Sequence, residues 1–305
     1  MNNKFSNYIS LMDIERKAFE ILPLSVRDYY ASGADDEETL KENKKSFKNN
    51  LDTSINIIFN NSKEFKFSYP IGIAPTAFQR MAHNDGEIAT VKAANEMCTP
   101  MICSTLSTIP LEELYVYKNR LLTERLVRRA EKAGFSALVL TVDSPHFGKR
   151  RADERNEFKL PEHLRVANFE EESTFSDNIG ASGLSKYVIS NFDQTLNWED
   201  LRWLIDALPE IIEAVQDRIP VFVDGGFRSG TDIFKALAIG AQIIFIGRPI
   251  IYGLAIGGKE GVKHVLKILQ TELDYAMRLS GCATISQLRS HKDIVVYRNR
   301  FFSKL

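Results

Sequence analysis

The chain has 305 residues, 44% of them hydrophobic and 26% charged, which is enough apolar material for a large buried core and an ordinary charge content for a soluble globular protein. Its 39 basic and 40 acidic residues nearly cancel, which excludes a broad field for attracting nucleic acid or an anionic membrane surface, so neither is expected as a partner. Cys98, Cys103 and Cys282 form neither a CxxC pair nor a zinc-ligand spacing, and free thiols in a reducing compartment, with no metal, are expected. Met1 to Met12 lacks the pattern of a signal peptide, and no apolar run approaches the ~20 residues that span a bilayer.

The first element starts at Ser10, a helix cap with Asp13 three residues on, and runs through Ile14, Ala18, Phe19 and Ile21 to Pro23. A short helix over Leu24 to Tyr30 ends at Ser32-Gly33, and a charged helix is expected over Glu37 to Phe47. From Pro70 the rhythm changes to short β-branched apolar runs that end in Gly, Thr, Asp or Pro and lead into helical patterns, which predicts a parallel sheet. The expected strands are Ile71 to Pro75, Met101 to Ser104, Leu114 to Tyr117, Ala137 to Val142, Val221 to Asp224 and Ile243 to Ile246, apolar enough for burial on both faces. Helices are expected over Asp85 to Met97, Leu121 to Lys132, Thr231 to Leu237 and Gly261 to Met277, with Gly134 and Gly240 closing two of them.

No linker or short repeat divides the chain, so a single domain over 1–305 is expected, with N-terminal helices at 10–47, a barrel at 70–280 and a tail at 290–305. An α/β fold of the TIM (β/α)8 type suits the length and would put functional residues at the strand C-terminal ends. Only six strands can be drawn. The interval from Val142 to Val221 opens with polar Asp153 to Asn191 and continues with helical stretches at Trp198 to Leu204 and Ile205 to Val215, so the barrel is expected to be gapped by about two strands.

Groups suited to a ligand stand at the strand ends. Pro75-Thr76-Ala77, Ser104 and Thr141 offer backbone and hydroxyl hydrogen bonds. Asp224-Gly225-Gly226-Phe227-Arg228 and Gly247-Arg248-Pro249 each precede a helix, where glycine lets backbone N–H groups approach a phosphate and arginine adds bidentate contacts. Taken singly, Asp-Gly-Gly is equally a turn and Arg248 equally a surface ion-pair partner. The basic run Lys149-Arg150-Arg151 is sized for one small carboxylate or phosphate and too short to be an electrostatic footprint.

These motifs, with Asp28-Tyr29-Tyr30-Ala31-Ser32-Gly33-Ala34, Ala74 to His83, Leu114-Tyr115-Val116-Tyr117-Lys118, Leu140 to Pro145 and Leu279-Ser280-Gly281-Cys282, give the chain a resemblance to the FMN-dependent (S)-2-hydroxy-acid oxidases of the glycolate oxidase type. The resemblance implies a βα barrel holding FMN and oxidising a small 2-hydroxy acid to the 2-oxo acid, with O2 reduced to hydrogen peroxide; it also implies a homo-oligomer. It places Tyr29, Tyr115 and Arg150 on the substrate. Pro75, Thr76, Ala77, Ser104 and Thr141 fall to the flavin ring, and Asp224, Gly225, Gly226, Arg228, Gly247 and Arg248 to the ribityl phosphate end. On residue type alone, Tyr29 and Tyr115 are equally core tyrosines, and Arg150 is equally a surface cation beside Asp153.

The resemblance breaks between Leu204 and Ile205. The family has there a strand ending in Lys-Gly, a helix, and a strand ending in Asn-His-Gly-Gly-Arg, whose histidine is the general base. A smaller excision precedes Leu114, where Glu113 stands in place of a flavin-contacting glutamine. Of His83, His146, His163, His264 and His291, only His146 follows a strand end near Arg150, and a lone loop histidine is ordinarily solvated, so no catalytic residue is assigned. Three readings stand: an FMN-dependent oxidase, a non-catalytic flavin-binding or oligomer-forming relative, and the product of a transcript or gene reading that omits a segment. The chain stops at Ser303-Lys304-Leu305, the tripeptide read by the peroxisomal import receptor, so that receptor and a peroxisomal location are expected.

Overall fold

The computed structural model describes residues 5–33, 36–37, 67–104, 106–108, 132, 151–161, 163–164 and 221–290. The expected strands at Leu114 to Tyr117 and Ala137 to Val142 lie outside these residues, as do the helical stretches between Trp198 and Val215 and the C-terminal tripeptide. The expected helices over Glu37 to Phe47 and Leu121 to Lys132 fall almost wholly outside them.

Helix α1 (Leu11–Ile21) starts as its sequence dictates. Ser10 Oγ accepts the Asp13 amide at 3.3 Å, and the Asp13 carboxylate accepts the Ser10 amide at 3.1 Å. Leu11, Ile14 and Ala18 recur at helical spacing and form the buried face. Helix α2 (Leu24–Ala31) follows Pro23 and buries Val26 and Tyr30.

Among the described residues the sheet has three strands, β1 (Ile71–Ile73), β2 (Phe222–Asp224) and β3 (Ile243–Ile246), all parallel, in the order β1-β3-β2. The last strand therefore sits between the first and the last but one. Met101 adds an isolated parallel bridge to Ile73 on the far side of β1. The expected strands at 71–75 and 101–104 thus shorten, because Pro75 cannot donate to a ladder and pairing stops where the chain turns toward the strand ends.

β1 and β3 are buried throughout, as a parallel strand covered on both faces should be. Ile71, Ile73, Ile244 and Ile246 face the helices, while Ile243, Phe245 and Ala74 form a separate apolar cluster on the opposite face. β2 departs from the expectation: Phe222 and Asp224 are exposed, since among the described residues β2 is an edge strand with only β3 beside it.

Helix α3 (Gly86–Glu96) follows β1, and the polar interval opens with a one-turn helix, α4 (Arg151–Arg155), that packs on α2. Helix α5 (Gly230–Ile239) is capped by the Ser229 hydroxyl and closed by Gly240 at φ 128°, in agreement with the sequence reading. Helix α6 (Arg248–Leu279) is much longer than the expected 261–277, beginning directly at the end of β3 and bending at Gly257-Gly258. Its two halves approach so closely that a Cβ on Gly261 would lie 1.9 Å from the Gly253 carbonyl oxygen. α6 packs against α1, α3 and α5, which makes it the element that unites the two ends of the chain. Helix α7 (Ile285–Ser290) closes the described region on α5, with Arg289 donating to the carbonyls of Gly240 (3.1 Å) and Ala241 (2.8 Å). Cys98, Cys103 and Cys282 form no disulfide among the described residues.

Candidate functional site

Because β1, β3 and β2 are parallel neighbours, the segments that follow them emerge at one edge of the sheet. These segments are Ala74 to Phe78, Gly247-Arg248 and Gly225 to Arg228. Parallel α/β sheets present ligand sites at this edge. Ser104, just past the Met101 bridge, belongs to the same edge and is 5% exposed.

The two helix starts at this edge differ. The N-terminus of α5 is filled by the protein's own carboxylates: Asp232 accepts the Arg228 amide at 2.9 Å, and Glu272 accepts the Gly230 amide at 2.7 Å. The N-terminus of α6 has no side-chain cap. A Cβ built on Gly247 would meet nothing closer than the Ala74 Cβ at 3.8 Å, so the protein leaves room there. Gly225 and Gly226 both have positive φ, 94° and 83°, which lets consecutive backbone amides turn toward a common point. A helix start whose N-cap is a glycine, open room beside it and two arginines make this corner fit an anionic phosphate, so the residues present suit the ribityl phosphate of FMN.

Tyr252, one turn beyond Arg248, is 1% exposed. Burial first, then the Glu15 carboxylate, pushes its phenol up to about 12, so it stays protonated at neutral pH. Its hydroxyl has no partner of good hydrogen-bonding geometry among the described residues, although Arg228 lies close enough to act on it. The Arg228 guanidinium also faces Glu15 of α1, with Nη2 to Oε1 at 3.8 Å.

The loops nearer β1 are braced from behind. Glu87, 0% exposed, accepts the Gln79 amide (3.1 Å), the Thr108 amide (2.8 Å) and the Thr108 hydroxyl (2.7 Å). Thr90 donates to the Gln79 side chain at 2.6 Å. Phe78 adopts a left-handed conformation at φ 57°, and its amide donates to Leu106 at 3.0 Å. Tyr30 locks the same turn from the other side, its hydroxyl 2.8 Å from the Phe78 carbonyl and 3.3 Å from that of Ala77. Burial pushes the Tyr30 phenol well above its ordinary value, so it is a fixed donor.

Of the residues expected on the substrate side, Tyr29 is half-buried and stacks on Phe158, with ring centroids 4.7 Å apart. Tyr115, Thr141, His146 and Arg150 lie outside the described residues. Arg151, next to Arg150, pairs with Asp36, and Asn156 donates to Asp28 at 3.0 Å. The α4 segment is thereby tied to the helix that carries Tyr29. Sequence reasoning missed Tyr30, Glu87, Glu15 and Tyr252. Each read as an ordinary helix residue, and only tertiary neighbours distinguish them.

The chain belongs to the FMN-dependent dehydrogenase family, whose sequence pattern matches residues 18–207 and 205–295. The cofactor of that family is FMN. Among its relatives, glycolate oxidase 1 of Zea mays is 40% identical, covering 92% of this chain and 95% of the relative, and 2-hydroxyacid oxidase 1 of Homo sapiens is 39% identical over 91% and 94%. Among solved structures, mandelate oxidase with (S)-4-hydroxymandelic acid superposes with a TM-score of 0.80 at 30% identity, covering 92% of this chain and 98% of that one. The two stretches that match the family meet at 205–207, where the sequence reading places the break. The maize alignment spans 349 positions while drawing on 92% of this chain, so the relative carries several tens of residues without counterparts here.

Proposed function

We propose that this chain binds FMN at the C-terminal edge of its parallel sheet and is a 2-hydroxy-acid oxidase whose turnover is strongly reduced by the missing segment. The observation that carries this reading is the convergence of the β1, β2 and β3 ends beside the uncapped start of α6. The phosphate end of FMN falls to Gly225, Gly226, Gly247, Arg248 and Arg228, with Asp224 beside them. The ring is assigned to Pro75, Thr76, Ala77, Ser104 and Thr141, and the substrate carboxylate and hydroxyl to Tyr29, Tyr115 and Arg150. Bound FMN would supply a two-electron acceptor for the overall reaction of the 2-hydroxy acid with O2 to give the 2-oxo acid and hydrogen peroxide. A small hydroxy acid such as glycolate is the substrate class, in line with the named relatives.

The family's base histidine has no counterpart at the break, and loss of a general base costs ~10²- to 10⁴-fold in rate. The proposed architecture is one domain over 1–305, a (β/α)8-type barrel whose seam opens where about two strands are missing. The pairing of β3 with β1 supports closure at the opposite side, because the last strand of a barrel must meet the first. Ser303-Lys304-Leu305 supports peroxisomal import, which a fluorescent fusion with and without the tripeptide tests.

Purified protein tests the function. Uptake of FMN with slow peroxide release from glycolate supports the proposal, and uptake with no release supports a non-catalytic relative. Peroxide release at rates ordinary for flavin oxidases overturns the role given to the missing segment, and failure to take up FMN overturns the whole reading. Genomic sequence between the codons for Leu204 and Ile205 that encodes Asn-His-Gly-Gly-Arg would identify an omitted segment.

A further inference from the structure

The proposed phosphate corner has a neighbour in α1. Leu11, Ile14 and Ala18 seat α1 on α6, and Phe19 meets Tyr252 edge-on with ring centroids 5.4 Å apart. That seating brings the Glu15 carboxylate to 3.8 Å from Arg228 Nη2, the two side chains being 27% and 22% exposed. The enclosed Tyr252 hydroxyl lies within the influence of Glu15, Arg228 and Arg248 together. Four polar groups from α1, the loop after β2 and the start of α6 thus share one corner.

A separation of 3.8 Å is an ion pair and too long for a hydrogen bond, so the N–H fork of Arg228 is held in place by Glu15 without being spent on it. An enclosed hydroxyl without a partner of good geometry among the described residues, beside the Arg228 guanidinium, points to an acceptor that a ligand supplies. We propose that Glu15 is a positioning residue for the phosphate end of FMN, holding the Arg228 guanidinium toward the uncapped start of α6. Docking of α1 and capture of the phosphate then support each other through Arg228. Glu15 itself touches no cofactor. An arginine free to roam must give up its rotamer freedom when the phosphate arrives, whereas one already held by a carboxylate on its far side has done so.

This inference rests on the FMN reading above, and the test separates the two. FMN affinity is measured for the unaltered chain and for Glu15→Gln, together with amide hydrogen exchange in α1 and in α3 with and without FMN. The expected result is a loss of affinity of roughly tenfold, ~1.4 kcal/mol, with FMN slowing exchange in α1 of the unaltered chain but not in that of Glu15→Gln, and α3 responding alike in both. Arg228→Lys, which leaves α1 intact but removes the planar fork, gives the same uncoupling should Glu15→Gln fold poorly. Unchanged or tighter FMN binding by Glu15→Gln overturns the proposal, as does an equal loss of FMN-induced protection in α3, which signals general damage. Failure of the unaltered chain to bind FMN overturns both the proposal and the reading beneath it.

Discussion

Replacing Glu87 by alanine removes the acceptor that ties the loop after β1 to the loop after Met101. Three donors lose their partner at once: the Gln79 amide, the Thr108 amide and the Thr108 hydroxyl, all inside a region where Glu87 and Thr90 are 0% exposed. Each buried donor left unsatisfied costs about 1–3 kcal/mol, and water entering the vacated space recovers part of that. The expected loss is about 4 kcal/mol, or a fall in Tm of roughly 10 °C for a chain of this size. Glu87→Gln keeps one carbonyl oxygen for the two amides and turns an N–H toward the Thr108 oxygen, so its loss stays near ~1 kcal/mol. Urea unfolding of the flavin-free protein, followed by circular dichroism, measures both. A Glu87→Ala variant within about 1 kcal/mol of the parent would refute the reasoning, as would a glutamine variant equally damaged.

Gly230→Ala places a Cβ 2.2 Å from the Leu273 amide nitrogen, so α5 and α6 must part at a cost of about 3 kcal/mol, visible as a large drop in the thermal midpoint. Gly247→Ala meets no clash and leaves the flavin-free Tm unchanged, but fills the room proposed for phosphate and weakens FMN binding roughly tenfold, ~1.4 kcal/mol; equal affinity in a titration of flavin fluorescence would place the phosphate elsewhere. Burial raises the pKa of Glu272 above its ordinary 4.5, outweighing the favourable Gly230 amide, so the folded chain binds that proton more tightly than the unfolded chain. The ionised carboxylate therefore opposes folding at pH 7 and ceases to do so as pH falls through the raised pKa and below 4.5. Glu272→Gln is expected to raise Tm at pH 7, with a gain that shrinks toward pH 4; a constant gain across that range would contradict the assignment.

What the sequence discloses and what it hides follow from the range of the interactions. Ser10 and Asp13 announce α1 because a capping box is complete within four residues, and Gly240 announces the end of α5 because the left-handed region favours glycine. The strand ends bearing Gly225-Gly226 and Gly247-Arg248 are legible for the same reason: turn chemistry is local. The start of α6 is hidden because Gly247, Gly253, Gly257 and Gly258 read as interruptions, whereas Gly253 and Gly261 serve the close approach of the two helix halves. Glu87 gives no local signal, since an acid in the first turn of a helix is favoured wherever the helix lies. Its partners Gln79 and Thr108 stand 8 and 21 residues away, and only the folded chain brings them together.

The same distinction underlies the proposal that a flavin cradle survives the loss of the family's base. The residues proposed for the phosphate and for part of the ring come from the two ends of the fold, β1 at 71–73 and β2 with β3 at 222–246, joined by direct pairing of β3 with β1. α6 then packs on α1 and α3 from the first end and on α5 from the second, so burial as well as strand pairing holds this half of the site. The break at 205–207 falls between those ends. On the proposed reading, the segment absent there carried the proton acceptor, whereas the described strands and helices around the proposed phosphate corner all come from the two ends. On the proposed assignment, cofactor binding and turnover are separable by where their residues lie along the chain. Restoring the family's missing segment between Leu204 and Ile205 should therefore raise peroxide production far more than it raises FMN affinity. An insertion that changes affinity by orders of magnitude while leaving the rate untouched would show that the two halves of the site are not independent.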